Sequence, residues 1–282
     1  METGSAAFTP PPAWAIPPQR AADVASRFIA DTVAAARRTG VVVGLSGGID
    51  SSVAAALAMR GLGPGNVLGV LMPTASSLPA SLDDARAVAV QLGTRSETVD
   101  ISPVIEAWGQ VQPHADRIRL GNMMARARMI VLYDISARDG LLVLGTGNRS
   151  EWLLGYTTLY GDNACALNPL GQLYKTEVRL LAEYLELPAA VIMKPPSADL
   201  WIGQTDEEEL GFTYAQADLI LHHLVDEGLG ERQLASLGFA PDLVRRIFER
   251  MEAMSFKRRL PPVATFPGRH DPDVATPPRG QS

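Results

Sequence analysis

The segment from Val41 to Ser52, VVVGLSGGIDSS, brings together residue types that bind phosphate. An apolar run typical of a buried strand leads directly into glycines, which permit positive φ and let a ligand approach the backbone closely. A helix is predicted to start near Asp50, and the free N–H groups of its first turn favour an anion. The residues expected to form this phosphate-binding turn are glycines and hydroxyl donors: Gly44, Ser46, Gly47, Gly48, Ser51 and Ser52.

This turn is not a Walker-type P-loop, because the Gly-Lys-Ser/Thr ending of that motif is missing. An ordinary glycine-rich turn with a Ser or Asp cap is the alternative interpretation. The turn lies at the carboxyl end of a predicted strand, which is where open α/β sheets bind ligands. That position favours the phosphate site.

Two carboxylates and a lysine are candidates for completing such a site. Asp50 lies at the helix start and Glu151 follows the apolar run 141–145, so both are expected at neighbouring strand ends. This placement suits a Mg²⁺ ion that also binds phosphate oxygens. Taken alone, Asp50 also fits a helix cap and Glu151 a solvated surface acid. Lys175 opens a predicted helix, where the helix dipole disfavours a cation, so we expect it to contact a phosphate.

Apolar runs that must position these residues alternate with helical patterns. The runs 41–45, 66–72, 96–101 and 141–145 suit buried strands. This alternation predicts an α/β fold with a parallel sheet and right-handed crossovers, and we expect five strands with helices on both faces. From about residue 205 onward the pattern is only helical, which predicts a helical C-terminal segment.

Composition sets the domain limits and excludes several classes of protein. Residues 1–18 are predicted to be a flexible arm and residues 261–282 a flexible tail, because both are rich in Pro and small residues; residues 19–260 form the folded domain. The net charge of −6 disfavours nucleic-acid binding. A single cysteine, Cys165, excludes a disulfide framework. With neither a membrane span nor a signal peptide in the sequence, we expect a cytoplasmic protein.

The Ser-Gly-Gly-x-Asp-Ser turn resembles the pyrophosphate loop of the N-type ATP pyrophosphatases, which cut ATP between its α and β phosphates and leave AMP on an acceptor. Five further segments, in the same order and spacing, resemble the NAD synthetase family over roughly residues 20–260. They are GNMMARARMIVLY (121–133), GTGNRSEWLLG (145–155), YGD (160–162), LNPLGQLYKTEVRLLA (167–182) and KPPSADLWIGQTDEEELGF (194–212).

The resemblance implies a Rossmann-like fold of the adenine nucleotide alpha hydrolase type and a two-step reaction. In that family the carboxylate of deamido-NAD attacks the α-phosphate of ATP, and ammonia then displaces AMP to form the amide. The two substrates meet at a dimer interface. The resemblance therefore implies ATP and Mg²⁺ as ligands and a homodimer as the active form.

Residue roles also follow from the resemblance. It assigns Asp50 and Glu151 to magnesium, and places Asp162 near the incoming ammonia, where a carboxylate can accept a proton. ATP contacts are implied for the turn residues already given and for Thr146, Lys175 and Ser197, which stands where the family usually has Thr. Arg126 occupies a position that binds the dinucleotide, as does Lys257, whereas Arg128 fits a solvated or intersubunit charge.

Departures from the family pattern lie on the substrate side. Leu159 replaces a lysine, Ala166 an aspartate and Phe256 a histidine at positions that grip deamido-NAD, and Gln172 replaces an acid before Leu-Tyr-Lys. The pocket is therefore predicted to be less polar than usual. We expect either slow NAD formation or a different carboxylate as the acceptor.

Three functions stay open at this point. They are an NAD synthetase, a related amide ligase that acts on another small carboxylate, and a nucleotide-binding protein without catalysis. The nitrilase-type amidase domain of the glutamine-dependent relatives has no room in this chain. We therefore expect free ammonia, or ammonia from a separate partner, as the nitrogen source.

The long predicted helix 114–139 carries more apolar surface than one sheet needs. Its apolar side chains include Met123, Met124, Met129, Ile130 and Leu132. We expect this helix to lie at the interface of the homodimer.

Overall fold

The computed structural model describes residues 12–201, 203–264 and 266–267. Within them, a parallel sheet forms the centre of the molecule, with strand order β3-β2-β1-β4. Its strands are β1 (Val41–Gly44), β2 (Val67–Leu71), β3 (Arg95–Thr98) and β4 (Leu142–Val143). Parallel pairing aligns the carboxyl ends of all four strands at one edge, where the predicted site residues follow β1 and β4.

The prediction of five strands is wrong for the described residues, which contain four. Where a fifth strand would continue the sheet beyond β4, only one parallel bridge forms, between Leu144 and Leu167. Pro169 follows almost at once and has no N–H group to extend a ladder. The Asn168 side chain instead caps the loop, donating to the Gly147 carbonyl oxygen at 2.9 Å and accepting the Leu170 N–H at 3.1 Å.

Twelve α-helices occur in the described ranges. They are α1 (Pro18–Ala35), α2 (Ile49–Leu62), α3 (Pro79–Leu92), α4 (Ser102–Val111), α5 (Arg117–Asp139), α6 (Arg149–Leu154), α7 (Lys175–Tyr184), α8 (Ala189–Met193), α9 (Asp206–Leu210), α10 (Tyr214–Leu221), α11 (Glu231–Ser236) and α12 (Pro241–Ala253). A π-helical turn, His222–Asp226, continues α10, and short 3₁₀ turns cover Pro64–Asn66 and Ser255–Arg258.

Helices cover both faces of the sheet, as predicted. Successive residues of a strand point to opposite faces, so Val41 and Val43 pack with α1 and α2, whereas Val42 packs with α5. A separate core lies among α6, α10, α11 and α12, and it includes Ile220 and Ile247. This second core packs the predicted helical C-terminal segment against α6 and Tyr174.

The chain termini lie partly outside the described residues. Of the predicted arm 1–18, residues 12–18 are described; Pro18 already begins α1, and Trp14 packs against the C-terminal core. Residues 1–11, and most of the predicted tail, are not covered. Among the residues that are, no helix has the length and apolar character needed to cross a membrane.

Candidate active site

The turn between β1 and α2 has the geometry of a phosphate cradle. Gly47 has φ +74°, and a Cβ atom there would lie 2.1 Å from the Ser81 carbonyl oxygen, so no other residue fits without displacement. Two hydroxyl groups line the turn: Ser46 Oγ accepts from the Gly48 N–H at 3.2 Å and lies 3.2 Å from Ser51 Oγ. The turn therefore holds hydroxyl groups and backbone N–H groups at the N-terminus of α2.

Three charged groups meet beside this turn. Lys175 Nζ lies 2.5 Å from Asp50 Oδ2 and 3.3 Å from Glu151 Oε1. Asn148 links the two carboxylates, because its Nδ2 donates to Asp50 Oδ1 at 2.8 Å and its backbone N–H donates to Glu151 Oε2 at 3.1 Å. Asn148 is also the N-cap of α6, in a capping box with Glu151. Asn148 therefore holds both carboxylates in position while it caps α6.

The backbone of Lys175 is fixed by helices that come from distant parts of the chain. Its N–H donates to Ser150 Oγ at 2.8 Å, and the Ser150 hydroxyl donates to Asp218 Oδ1 at 2.5 Å. Asp218 also accepts the Thr176 N–H at 2.8 Å, which satisfies a free donor in the first turn of α7. Burial raises the pKa of Asp218 to about 6, although these hydrogen bonds oppose the rise.

The electrostatics of the cluster follow from burial and close approach. Burial, and after it the Asp50 carboxylate, raise the pKa of Glu151 to about 8, while Lys175 opposes the shift. Burial would lower the pKa of Lys175, but Asp50 and Glu151 outweigh it and raise that pKa, so the ammonium stays charged. Because the pKa of Glu151 is about 8, further positive charge is needed beside Asp50 and Glu151 for both carboxyl groups to be ionised at neutral pH.

A cleft of about 560 Å³ opens onto this cluster. Most of the sequence-predicted residues line it: Gly44, Ser46, Gly48, Asp50, Ser51, Thr146, Glu151, Asp162, Lys175, Ser197 and Lys257. Ser52 does not, because it is fully buried and its hydroxyl donates to the Gly48 carbonyl oxygen at 2.8 Å. Gly47 shapes the turn from behind, packed against Ser81.

The residues predicted to bind the substrate do not come together in the cleft as the ATP-side residues do. Arg126, Leu159, Ala166 and Phe256 are not among the residues that line the cleft. The Arg126 guanidinium donates to the Leu159 carbonyl oxygen from Nε at 3.3 Å and from Nη2 at 3.2 Å. Phe256 is 58% exposed. Arg126 and Leu159 are therefore in contact, but these four residues do not form a closed pocket within one chain.

Asp162 and Lys257 lie at the substrate end of the cleft. Asp162 Oδ1 accepts the Thr158 N–H at 2.7 Å, and desolvation by the surrounding residues raises the pKa of this carboxyl group. Lys257 Nζ donates to the carbonyl oxygens of Gly155 at 2.8 Å and Thr157 at 2.7 Å. Lys257 therefore holds the loop that leads to Asp162.

Arg128 is a cleft residue that the sequence interpretation missed. It was expected to be a solvated or intersubunit charge, but it lines the cleft and its Nε donates to the Met72 carbonyl oxygen at 3.2 Å. Burial lowers its pKa, and Asp199 opposes the shift. The spacing contains the signal: Arg128 is four residues from both Met124 and Leu132, which are buried, and so lies on the inward stripe of α5.

Asp206 is a second residue that was missed. Its carboxylate is buried beside Tyr214, whose hydroxyl lies 3.3 Å from Asp206 Oδ2, and burial raises its pKa while Lys175 opposes the rise. In the sequence it is one of several acids in the stretch 206–209, so its type gave no distinguishing signal.

A parallel sheet with a phosphate cradle at its carboxyl edge, and with two carboxylates and a lysine beside the cradle, defines a nucleotide-binding α/β protein suited to ATP chemistry. The model of the NAD synthase family matches residues 22–261. The chain therefore belongs to the NAD synthase family.

Individual relatives agree with this assignment. The chain is 48% identical over 242 residues to an NH3-dependent NAD(+) synthetase of Trichlorobacter lovleyi, covering 86% of this chain and 89% of the relative. It is similar to the structure of an NH3-dependent NAD synthetase from Campylobacter jejuni, with a TM-score of 0.76, 36% identity and coverage of 89% and 100%. The structure of an NMN synthetase from Francisella tularensis matches with a TM-score of 0.79, 32% identity and the same coverage.

Proposed function

We propose that this chain is an ammonia-dependent NAD synthetase, an AMP-forming carbon–nitrogen ligase that amidates deamido-NAD. The observation that carries the proposal is the contact of Lys175 with Asp50 and Glu151 directly beside the phosphate cradle. The family assignment and the relatives named NH3-dependent NAD(+) synthetase, of which the chain covers about nine tenths, support the same conclusion. These features together favour catalysis over simple nucleotide binding.

Magnesium fits the site on the chemistry of its donors. Asp50 and Glu151 offer two adjacent carboxyl groups, and a bound cation would favour the ionised form of Glu151; Mg²⁺ is usually bound by one or two carboxylates together with substrate phosphates. When bound here, the ion would neutralise charge on the ATP phosphates.

In the first step, a carboxylate oxygen of the substrate attacks the α-phosphorus of ATP, the bond to the β-phosphate bridging oxygen breaks, and pyrophosphate leaves. The ammonium of Lys175 is positioned to stabilise the negative charge that moves onto the pyrophosphate. The hydroxyls of Ser46 and Ser51 and the N–H groups of the turn hold the phosphates. Thr146 and Ser197 line the same cleft and complete the ATP contacts.

In the second step, ammonia attacks the acyl carbon, the bond to the AMP oxygen breaks, and the amide forms as AMP leaves. One proton must leave the nitrogen during this attack. Asp162 lines the substrate end of the cleft and has a raised pKa, which makes its carboxylate a better proton acceptor than one with an ordinary pKa. We assign proton removal to Asp162.

We also propose a homodimer built on α4 and α5. These helices expose a set of large apolar side chains: Val104, Trp108, Val111, Ile118, Ile130 and Tyr133. Large apolar side chains exposed on two neighbouring helices usually mark an interface. The partner would also complete the substrate site around Arg126, which the single chain leaves open. Light scattering at micromolar concentration should give twice the chain mass, and a monomer would refute the proposal.

The function is tested by incubating the chain with ATP, Mg²⁺, ammonium and deamido-NAD and measuring NAD, AMP and pyrophosphate. We expect the three products in equal amounts. Asp50→Asn should abolish pyrophosphate release, because a neutral amide is a poor Mg²⁺ ligand. Asp83→Asn, which changes an exposed acid on α3, is the matched control and should keep full activity.

A second candidate is amidation of a different carboxylate, such as a smaller nucleotide acid. Leu159 and Ala166 remove an opposite-charge pair that the family resemblance places against deamido-NAD, and one similar structure is of an NMN synthetase. The same assay with nicotinic acid mononucleotide in place of deamido-NAD distinguishes the two. Efficient NAD formation by the unaltered chain would exclude the second candidate.

A further inference from the structure

The segment that precedes α1 reaches across to the helix that carries Lys175. We call residues 12–17 the N-terminal strap. The Trp14 ring stacks on the His222 imidazole, with centroids 4.6 Å apart and planes at 15°. It also meets the Tyr174 ring edge-on, with centroids 5.3 Å apart and planes at 72°. Both are favourable aromatic geometries, so the strap is fixed to two separate elements, the start of α7 and the π-helical turn.

The backbone of the strap adds a hydrogen bond at the same place. The Ile16 N–H donates to Glu177 Oε1 at 2.8 Å, and Glu177 Oε2 accepts the Tyr174 N–H at 2.8 Å. Glu177 is only 5% exposed, so one buried carboxylate is shared between the strap and the N-cap of α7. Removing the strap would leave an oxygen of a buried carboxylate without its donor, and buried polar groups require a partner.

Tyr174 is held at its far end as well. Its hydroxyl donates to Asp226 Oδ2 at 2.8 Å, and Asp226 also pairs with Arg149. The ring, the backbone N–H and the hydroxyl of this one tyrosine are therefore each bound by a different part of the molecule. Lys175 follows it directly, and its ammonium lies against Asp50 and Glu151.

From these contacts we infer that Trp14 is a positioning residue for Lys175. The N-terminal strap fixes the start of α7, and so places the Lys175 ammonium where it can contact the pyrophosphate that leaves. The inference rests on the proposed function. Trp14 does not line the cleft, so it acts only through Tyr174 and the first turn of α7. Displacing a reacting group by about 1 Å costs roughly a hundredfold in rate, so a small shift of α7 is measurable.

The experiment compares Trp14→Ala, Trp14→Phe and Leu234→Ala in ATP–pyrophosphate exchange with deamido-NAD, well below their melting temperatures. Leu234 belongs to the same C-terminal core but lies on α11, so Leu234→Ala is the control for general destabilisation. We expect Trp14→Ala to lower the kcat of exchange about tenfold with the KM of the acid nearly unchanged. Trp14→Phe keeps an aromatic ring and should restore most of the rate, whereas Leu234→Ala should lower Tm but leave kcat near normal.

Equal losses of kcat in Trp14→Ala and Leu234→Ala would overturn the inference, as would a normal kcat in Trp14→Ala. If the unaltered chain shows no exchange with any acid, the proposed function fails instead. The strap is then tested by calorimetric titration with Mg-ATP: weaker binding by Trp14→Ala than by Leu234→Ala supports the positioning role, and equal binding refutes it.

Discussion

The two ends of the cleft differ in how completely one chain builds them. At the nucleotide end, Asp50, Asn148, Glu151 and Lys175 are joined by hydrogen bonds and ion pairs, and each is fixed by a helix start or cap. At the substrate end, Arg126 is exposed, and the hydrogen bonds of its guanidinium to described residues go to the Leu159 carbonyl oxygen. The difference teaches that the adenylating half is preorganised, while the acceptor half depends on a ligand or a partner subunit.

The strongest test of the nucleotide end is Lys175→Met. Losing a preorganised charge partner of the leaving group should lower kcat about 10³-fold, since one such donor contributes about 2.7–4 kcal/mol. Arg179→Met, on the next turn of the same helix and half exposed, is the control and should change kcat little. A Lys175→Met variant that releases pyrophosphate at near-normal rate would show that the lysine serves only the fold.

Gly47→Ala should be the next largest change. Its backbone has φ +74° and its new Cβ would lie 2.1 Å from the Ser81 carbonyl oxygen, so the cradle must deform. We expect a loss of about 2–3 kcal/mol in unfolding free energy together with weaker ATP binding. The matched control is Gly65→Ala, where nothing lies within 4 Å and the φ is ordinary. Equal urea midpoints for the two variants would contradict this.

Asp218 predicts a pH dependence of stability. Its pKa is raised by burial to about 6 in the folded protein, above the ordinary value of 3.8, so protonation favours the folded state. Asp218 contributes up to about 3 kcal/mol to the free energy of unfolding. This contribution is complete below about pH 4 and is lost as the pH rises to about 6. Asp218→Asn keeps an acceptor for the Thr176 N–H and a donor for Ser150. The variant should therefore show a smaller change in the free energy of unfolding between about pH 4 and 6.

Denaturant unfolding at several pH values, compared between the variant and the unaltered chain, measures this difference. Subtraction is needed because burial also raises the pKa of Glu177 and Asp206. Parallel pH profiles for the two proteins would show that the pKa of Asp218 is the same in the folded and unfolded states, which would contradict the prediction.

The smallest expected effect tests whether the substrate end of the cleft suits deamido-NAD. Leu159→Lys with Ala166→Asp restores the opposite-charge pair that the family resemblance expects. Because both positions are near the surface and charge pairs there contribute little, we expect a several-fold gain in kcat/KM for deamido-NAD and not more. Either single variant should give less than half of the gain. A decrease in kcat/KM for the double variant would show that this pocket is built for another acid.

The same division separates what the sequence predicted from what it did not. Local patterns predicted Gly47 and Asp50, because a strand, a glycine turn and a helix start follow one another in consecutive residues. Lys175 was predicted from its place at the start of a helix. Helices on both faces also followed from strand–helix alternation. The inward position of Arg128 was missed because charge outweighed its place on the apolar stripe of α5, and the number of strands was wrong because one bridge at Leu167 depends on the loop around Pro169.

The strap shows a further limit of local patterns. Residues 12–17 contain prolines and small residues typical of a flexible arm, yet Trp14 packs on Tyr174 and His222. Nothing near Trp14 in the sequence indicates these partners. Only the fold brings them together. Long-range packing therefore gives residues 12–17 a defined position that their composition did not predict.

The shared hydroxyl of Ser150 has a consequence for biosynthesis. Lys175 and Asp50, 125 residues apart in sequence, meet in a site whose backbone is fastened through Ser150 to Asp218, another 68 residues beyond that serine. A chain emerging from the ribosome can pair β1 and β2 early, but it completes the adenylating site only after α10 has been released. Every truncated product that ends before α10 should therefore be inert toward ATP, even though it already contains the phosphate cradle and Lys175.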